Sequence, residues 1–127
     1  MDINETDLTL RITSHGDVLV YHFQGVIDIA TSPSVRETLV QAANDANPNL
    51  VVDLTQVTFL DSTGIGALIG AHRRALERAG KLRLVVPEGQ LERLFSLTGL
   101  AKVFPTFRDL DDALSDAEGN ESGASRG

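Results

Sequence analysis

The segment Asp61-Ser62-Thr63-Gly64-Ile65-Gly66 sets two hydroxyls between a carboxylate and a pair of glycines. The apolar run Leu50-Val51-Val52-Asp53-Leu54 lies upstream, and Ile65, Leu68, Ile69, His72 and Leu76 come after it at helical spacing. The segment is therefore expected to carry a buried strand through a short loop into a helix, with those five residues on its apolar face. Strand ends of this kind deliver ligand- and partner-binding residues to the surface in α/β folds. Unpaired N–H groups and the helix dipole at such a start would tolerate a phosphate on Ser62. Asp61 and Ser62 are also common N-cap residues, and a cap needs no further function. The glycines fit that explanation less well, since each costs about 1 kcal/mol relative to Ala inside a helix. Tight packing, or access to the Ser62 hydroxyl, would account for Gly64 and Gly66.

Other chemistries fail on spacing. A Ser62, His72 and Asp28 triad can be written down. However, His72 stands ten residues into the helix that Ser62 begins, about 15 Å away at the helical rise. A serine nucleophile needs its base within hydrogen-bond reach, so an independent small hydrolase is disfavoured. A phosphate-binding loop needs a Lys after its second glycine, and none follows Gly66. His15 falls in a turn, His22 in a strand and His72 on a helix, with no i, i+4 pair among them. The chain has no cysteine, which excludes disulfides, thiolate metal sites and thiol nucleophiles, and with no close histidine pair no metal site is expected. Asp53 at a strand end and Asp109, Asp111 and Asp112 at a helix start read as caps and solvated faces.

The 127 residues suffice for one domain, and 42% hydrophobic content supports a core of Leu, Val, Ile and Ala. A formal net charge of −7 argues against nucleic acid and anionic membrane surfaces as partners. Only Arg73 and Arg74 are adjacent cations, and they suit a solvated helix face. The polar, acidic start from Met1 to Asp7 is unlike a signal peptide, and no apolar run approaches the roughly 20 residues of a membrane span. A cytoplasmic protein is expected.

Alternating Leu8, Leu10 and Ile12 predict a strand, His15-Gly16-Asp17 a turn, and Val18 to Phe23 a second strand closed by Gly25. Thr31-Ser32-Pro33 signals a capped helix start, followed by Val35, Leu39, Ala42, Ala43 and Ala46 and stopped at Asn47-Pro48-Asn49. Beyond the Ser62 helix, Ala79-Gly80 marks its end and residues 82–86 form a strand. Leu91, Leu94, Phe95 and Thr98 mark a short helix, Val103 to Phe107 an edge strand interrupted by Pro105, and Asp109 to Leu114 a terminal helix. The order ββαβαβαβα predicts a mixed sheet covered by helices.

These motifs carry a family resemblance. Residues 51–54 and 59–66, the loop Gly25-Val26-Ile27-Asp28 with Thr31, and Leu94-Phe95 through Gly99-Leu100 with Val103-Phe104 resemble STAS domains. Within that family they look most like bacterial anti-sigma-factor antagonists, over about residues 8 to 114. The resemblance implies an α/β STAS fold, a single domain whose central mixed sheet of 4–5 strands is flanked by about four helices. Residues 1–7 would be a flexible N-terminus, 8–114 the domain and 115–127 a disordered acidic tail.

By position, Ser62 matches the family's phosphorylated serine, and Asp28, Asp61, Thr63 and Gly64 fall on its partner-binding surface. The family's unphosphorylated form binds a serine-kinase anti-sigma factor, which holds the ATP, and frees the sigma factor. Phosphorylation switches binding off, and a metal-dependent serine phosphatase restores it. The chain itself would then be neither an enzyme nor a cofactor carrier. The alternative is a STAS interaction module in another signalling or transporter-associated assembly.

Overall fold

Two valine-rich segments, Val18–Ile27 and Asn49–Leu60, lie side by side in parallel at the centre of a six-stranded sheet. In the computed structural model, which describes residues 4, 5 and 7–119, the strands are β1 (Asn4–Glu5), β2 (Leu8–His15), β3 (Val18–Ile27), β4 (Asn49–Leu60), β5 (Lys81–Val85) and β6 (Thr106–Phe107). Spatial order equals chain order, β1-β2-β3-β4-β5-β6. The first two pairings are antiparallel and the other three parallel, which makes the sheet mixed as expected. Helices α1 (Ser32–Asp45), α2 (Ser62–Glu77), α3 (Gln90–Thr98) and α4 (Leu110–Ala117) supply the crossovers and the end of the described chain.

The sheet buries both faces. Tyr21, Phe23, Val52, Leu54, Leu82 and Leu84 belong to the larger core, beneath Val35 and Leu39 of α1, Leu68 of α2 and Phe95 of α3. Val18, Val20, Val51 and Val85 form the opposite face, under Ala113 and Ala117 of α4. Burial on both sides explains why β4 begins as a continuous apolar run instead of alternating.

Several boundaries differ from the sequence expectation. The sheet begins before residue 8, because Asn4–Glu5 pair with β2 and Asp7 O accepts from Val26 N at 2.7 Å. β2 runs through His15, leaving the turn to Gly16 and Asp17, and β3 passes Gly25 to end at Ile27. Val103 and Phe104 are not strand: Phe104 is buried in the core after a short turn of helix at Leu100–Lys102, and β6 starts only after Pro105. α4 continues to Ala117, three residues past the expected boundary at 114, because Ala117 completes the apolar contact on the sheet. There the buried Arg83 donates from Nε to Asp116 Oδ2 at 2.6 Å and from Nη1 to Asn49 Oδ1 at 3.0 Å, tying α4 across β5 to β4. The remaining residues of the two expected flexible ends, 1–3, 6 and 120–127, lie outside the described residues.

The buried stripe of α2 is Gly64, Ala67, Leu68, Ala71, His72 and Ala75, while Leu76 is 51% exposed. Small side chains occupy this stripe where α2 lies against its neighbours, which turns Leu76 outward. His72 Nδ1 accepts from Leu82 N at 3.1 Å, and its ring packs on Phe104 with centroids 5.2 Å apart. Only a neutral imidazole can accept that bond. Desolvation holds His72 below the ordinary histidine value of 6.5, and Lys81 and Arg83 push the same way against the Val103 carbonyl. Below pH 6.5 the unfolded chain therefore binds a proton that the folded chain refuses, and stability falls as pH falls. The slope from this group cannot exceed about 1.4 kcal/mol per pH unit. Urea titrations between pH 7.5 and 5.5 should show a slope that is shallower in His72→Gln; equal slopes would exclude His72 as its source.

Candidate functional site

Register irregularities in the central strand pair set up the site. Between the pairs His22–Asp53 and Gln24–Gln56, and again between Gly25–Val57 and Val26–Phe59, β4 carries one residue more than β3. Such bulges bend a strand and re-aim the residues beyond them. Here the strand ends meet: Asp61 N donates to Ile27 O at 3.3 Å, so the loop after β3 and the loop after β4 lie side by side. Asp28 and Asp61, distant in sequence, thus share one end of the sheet.

Each carboxylate organises its own loop. Asp28 Oδ1 accepts from Ala30 N at 3.0 Å and Thr31 N at 3.2 Å. The side-chain cap expected at Thr31-Ser32-Pro33 is not formed: Thr31 is the N-cap residue of α1, but it donates its hydroxyl to Val26 O and accepts from Asp28 N, both at 2.9 Å. Asp61 is the N-cap of α2, and its Oδ1 accepts from Thr63 N at 3.0 Å, Gly64 N at 3.1 Å and Thr63 Oγ1 at 2.6 Å. The Thr63 hydroxyl, then the Gly64 and Thr63 N–H groups, hold the Asp61 carboxyl below the usual value of 3.8.

That cap decides what Ser62 is. It is the first residue of α2, not its cap. Its side chain is exposed, and no described residue hydrogen-bonds its hydroxyl. The expected cradle of free N–H groups is absent, however. Thr63 and Gly64 N–H are taken by the Asp61 carboxylate, and Ile65 N donates to Asp61 O at 3.0 Å. A phosphate on Ser62 would face water and the Asp61 charge.

The two glycines separate into two roles. A Cβ on Gly64 would stand 2.6 Å from Leu60 Cδ1, 2.7 Å from Ile27 Cγ2 and 3.0 Å from Ile27 O. Gly64 is therefore where α2 presses against the ends of β3 and β4. A Cβ on Gly66 would meet nothing within 4 Å. Gly66 lies instead in a groove of about 690 Å³ between α1 and α2, with Thr63, Ser32, Pro33, Arg36 and Val40 among its lining.

Two apolar side chains that were not among the expected site residues flank the acidic loops. Ile29, next to Asp28, is 74% exposed, and Phe59, two residues before Asp61, is 51% exposed. An isoleucine between Asp28 and a turn, with no helical or strand period to bury it, was the available signal. Exposed aromatic side chains such as Phe59 are enriched at protein interfaces.

The histidines lie in two separate places, neither of them in the Asp28 and Asp61 loops. His72 is buried on Leu82 and Phe104, away from Ser62 and Asp28. His22 Nδ1 and Asp53 Oδ2 are 2.7 Å apart, His22 Nε2 and Thr13 Oγ1 2.8 Å, and Thr13 Oγ1 and His15 Nε2 3.0 Å. This row ties β2, β3 and β4 together. Burial raises Asp53, but hydrogen bonds from Thr55 and the bond and charge of His22 outweigh it and leave the group below 3.8. Among the described residues no three His, Asp or Glu side chains gather as metal ligands, and no helix is long and apolar enough to cross a membrane.

The comparisons with known proteins agree with this architecture. Residues 9–113 match the STAS domain family. An anti-sigma-B factor antagonist of Listeria monocytogenes is 38% identical over 93 residues, covering 73% of this chain and 79% of its own. That of Bacillus subtilis is 31% identical over 116 residues, covering 91% and 89%. The crystal structure of an anti-sigma factor antagonist from Mycobacterium paratuberculosis superposes with a TM-score of 0.78 at 32% identity, over 87% of this chain and 94% of that one. With sequence and fold in accord, the chain belongs to the STAS-domain family of anti-sigma factor antagonists.

Proposed function

We propose that the chain acts as a phosphorylation-controlled antagonist of a serine-kinase anti-sigma factor, with Ser62 as the acceptor. The unphosphorylated protein docks on the kinase through Asp28, Asp61, Ser62, Thr63 and Gly64, with Ile29 and Phe59 as apolar anchors, and the sigma factor is released. The kinase, holding ATP, phosphorylates Ser62 and ends the interaction in the cytoplasm. A serine phosphatase reverses it. The observation that carries this function is the unpartnered, exposed Ser62 hydroxyl, left free because Asp61 performs the capping. A serine needed only to start a helix would have its oxygen on the N–H groups of the first turn.

The test is transfer of phosphate. Incubation with the kinase-type anti-sigma factor of the same genome and ATP, followed by peptide mass spectrometry, should place one phosphate on Ser62. Ser62→Ala should take up none at that position and still bind the kinase. A wild-type protein left unmodified would exclude the proposal.

A further inference from the structure

We propose that Asp61 selects the acceptor: by holding the Thr63 hydroxyl, it leaves Ser62 as the hydroxyl of the Ser62–Thr63 pair that can attack a phosphoryl donor. The inference rests on the function proposed above and adds the residue that sets its specificity. Both hydroxyls belong to exposed residues at the start of α2, and their side chains carry the same chemical group. Thr63 also lines the groove between α1 and α2, but both residues are exposed, and bonding is what holds one hydroxyl and frees the other.

Thr63 Oγ1 donates to Asp61 Oδ1 at 2.6 Å, a short bond to an ionised carboxylate. Attack from Thr63 would first break that bond. The incoming γ-phosphoryl group, itself anionic, would then stand against the Asp61 charge. Asp61 is also a poor base for the Thr63 proton, because the same oxygen already accepts two backbone N–H groups. Ser62 has none of these restraints, as no described residue bonds its hydroxyl.

In the transfer, Ser62 Oγ forms a bond to the γ-phosphorus of the ATP held by the kinase. The bond from that phosphorus to the β,γ-bridging oxygen breaks, and its electron pair leaves with ADP. The serine proton passes to a base on the kinase. Losing a hydrogen bond to a charged group biases the choice by about tenfold or more.

The experiment measures the ratio of phosphothreonine at 63 to phosphoserine at 62 within one sample, using the same kinase and ATP. A ratio does not depend on how tightly the variant docks. Wild type should give a ratio below about one tenth. Asp61→Asn, which keeps a good cap, should raise it, and Asp61→Ala should raise it about tenfold or more. Circular dichroism of each variant checks that the total helix content is kept. Equal phosphate on both residues in wild type, or an unchanged ratio in both variants, overturns the selection by Asp61 while leaving Ser62 as an acceptor. Phosphate on wild type that vanishes in both folded variants overturns it too, since Asp61 would then serve transfer itself. No phosphate on wild type overturns the underlying function as well.

Discussion

Gly64→Ala is expected to destabilise the protein by about 1–3 kcal/mol, and Gly66→Ala to stabilise it by up to about 1 kcal/mol. Both substitutions add one methyl group to the first half of the same helix, and intrinsic propensity favours both by a similar amount. Space decides the sign. At Gly64 the new Cβ meets Leu60 Cδ1, Ile27 Cγ2 and the Ile27 carbonyl oxygen, all within 3.0 Å. Ile27 is β-branched and fully buried, and its carbonyl accepts the Asp61 N–H, so neither can give way cheaply. Moving α2 outward instead would break the junction that sets Asp61 beside the Asp28 loop. At Gly66 nothing lies within 4 Å, so the propensity gain is unopposed. Urea denaturation of the two variants checks the pair, and effects of the same sign would refute the division of roles. Gly66→Ala also reports on the groove between α1 and α2. If the kinase enters it, the stabilised variant will bind the kinase more weakly.

Much of this arrangement is readable in the residues because the signals are local. The Ser62 segment sits where a buried strand delivers the chain into a helix, and the strand–helix alternation shows directly in the hydrophobic periods. The unreadable part depends on pairing between distant segments. The bulges in β4 exist only relative to β3, so that nothing in residues 53–59 announces that Asp61 will reach Ile27. The same holds for the row from Asp53 through His22 and Thr13 to His15, which needs the register of three strands. Hydropathy also misplaces one residue of the α2 face, while Ile65, Leu68, Ile69 and His72 do pack inward. It ranks Leu76 above Ala67 or Ala75, yet close packing selects the small residues and turns the leucine outward. Alanine misled in the same way at the end of α4, where Ala117 packs on the sheet from within a polar stretch. At Asp61-Ser62 the spacing allowed either residue to cap. The structure gives that task to Asp61, and the freedom of Ser62 is its consequence.

Phosphorylation of Ser62, or Ser62→Asp, is expected to weaken binding to the kinase about 5–150-fold, with folding stability changed by less than about 1 kcal/mol. A phosphate adds about −1.5 to −2 charge. Within the folded chain two effects oppose each other. The helix dipole favours negative charge in the first turn by about 0.3–1 kcal/mol. The neighbouring Asp61, ionised and capping, repels it across solvent. No free N–H of Thr63, Gly64 or Ile65 remains to be captured, so the new group has no hydrogen bond that would redraw the loop. The exposed phosphate stays in water. In the complex the balance changes, because docking removes that water and the partner must face the phosphate together with Asp61 and Asp28. Calorimetric titration of wild type, Ser62→Asp and the neutral Ser62→Asn separates charge from bulk, and Asn should retain most of the affinity. Charge near a surface is screened, so the penalty of Ser62→Asp should shrink as salt rises from about 0.05 to about 0.5 M. Backbone amide shifts should change only around residues 27–31 and 61–67. If they spread through α1 and β4 instead, the switch works by rearranging the fold, and charge at the surface is not its mechanism.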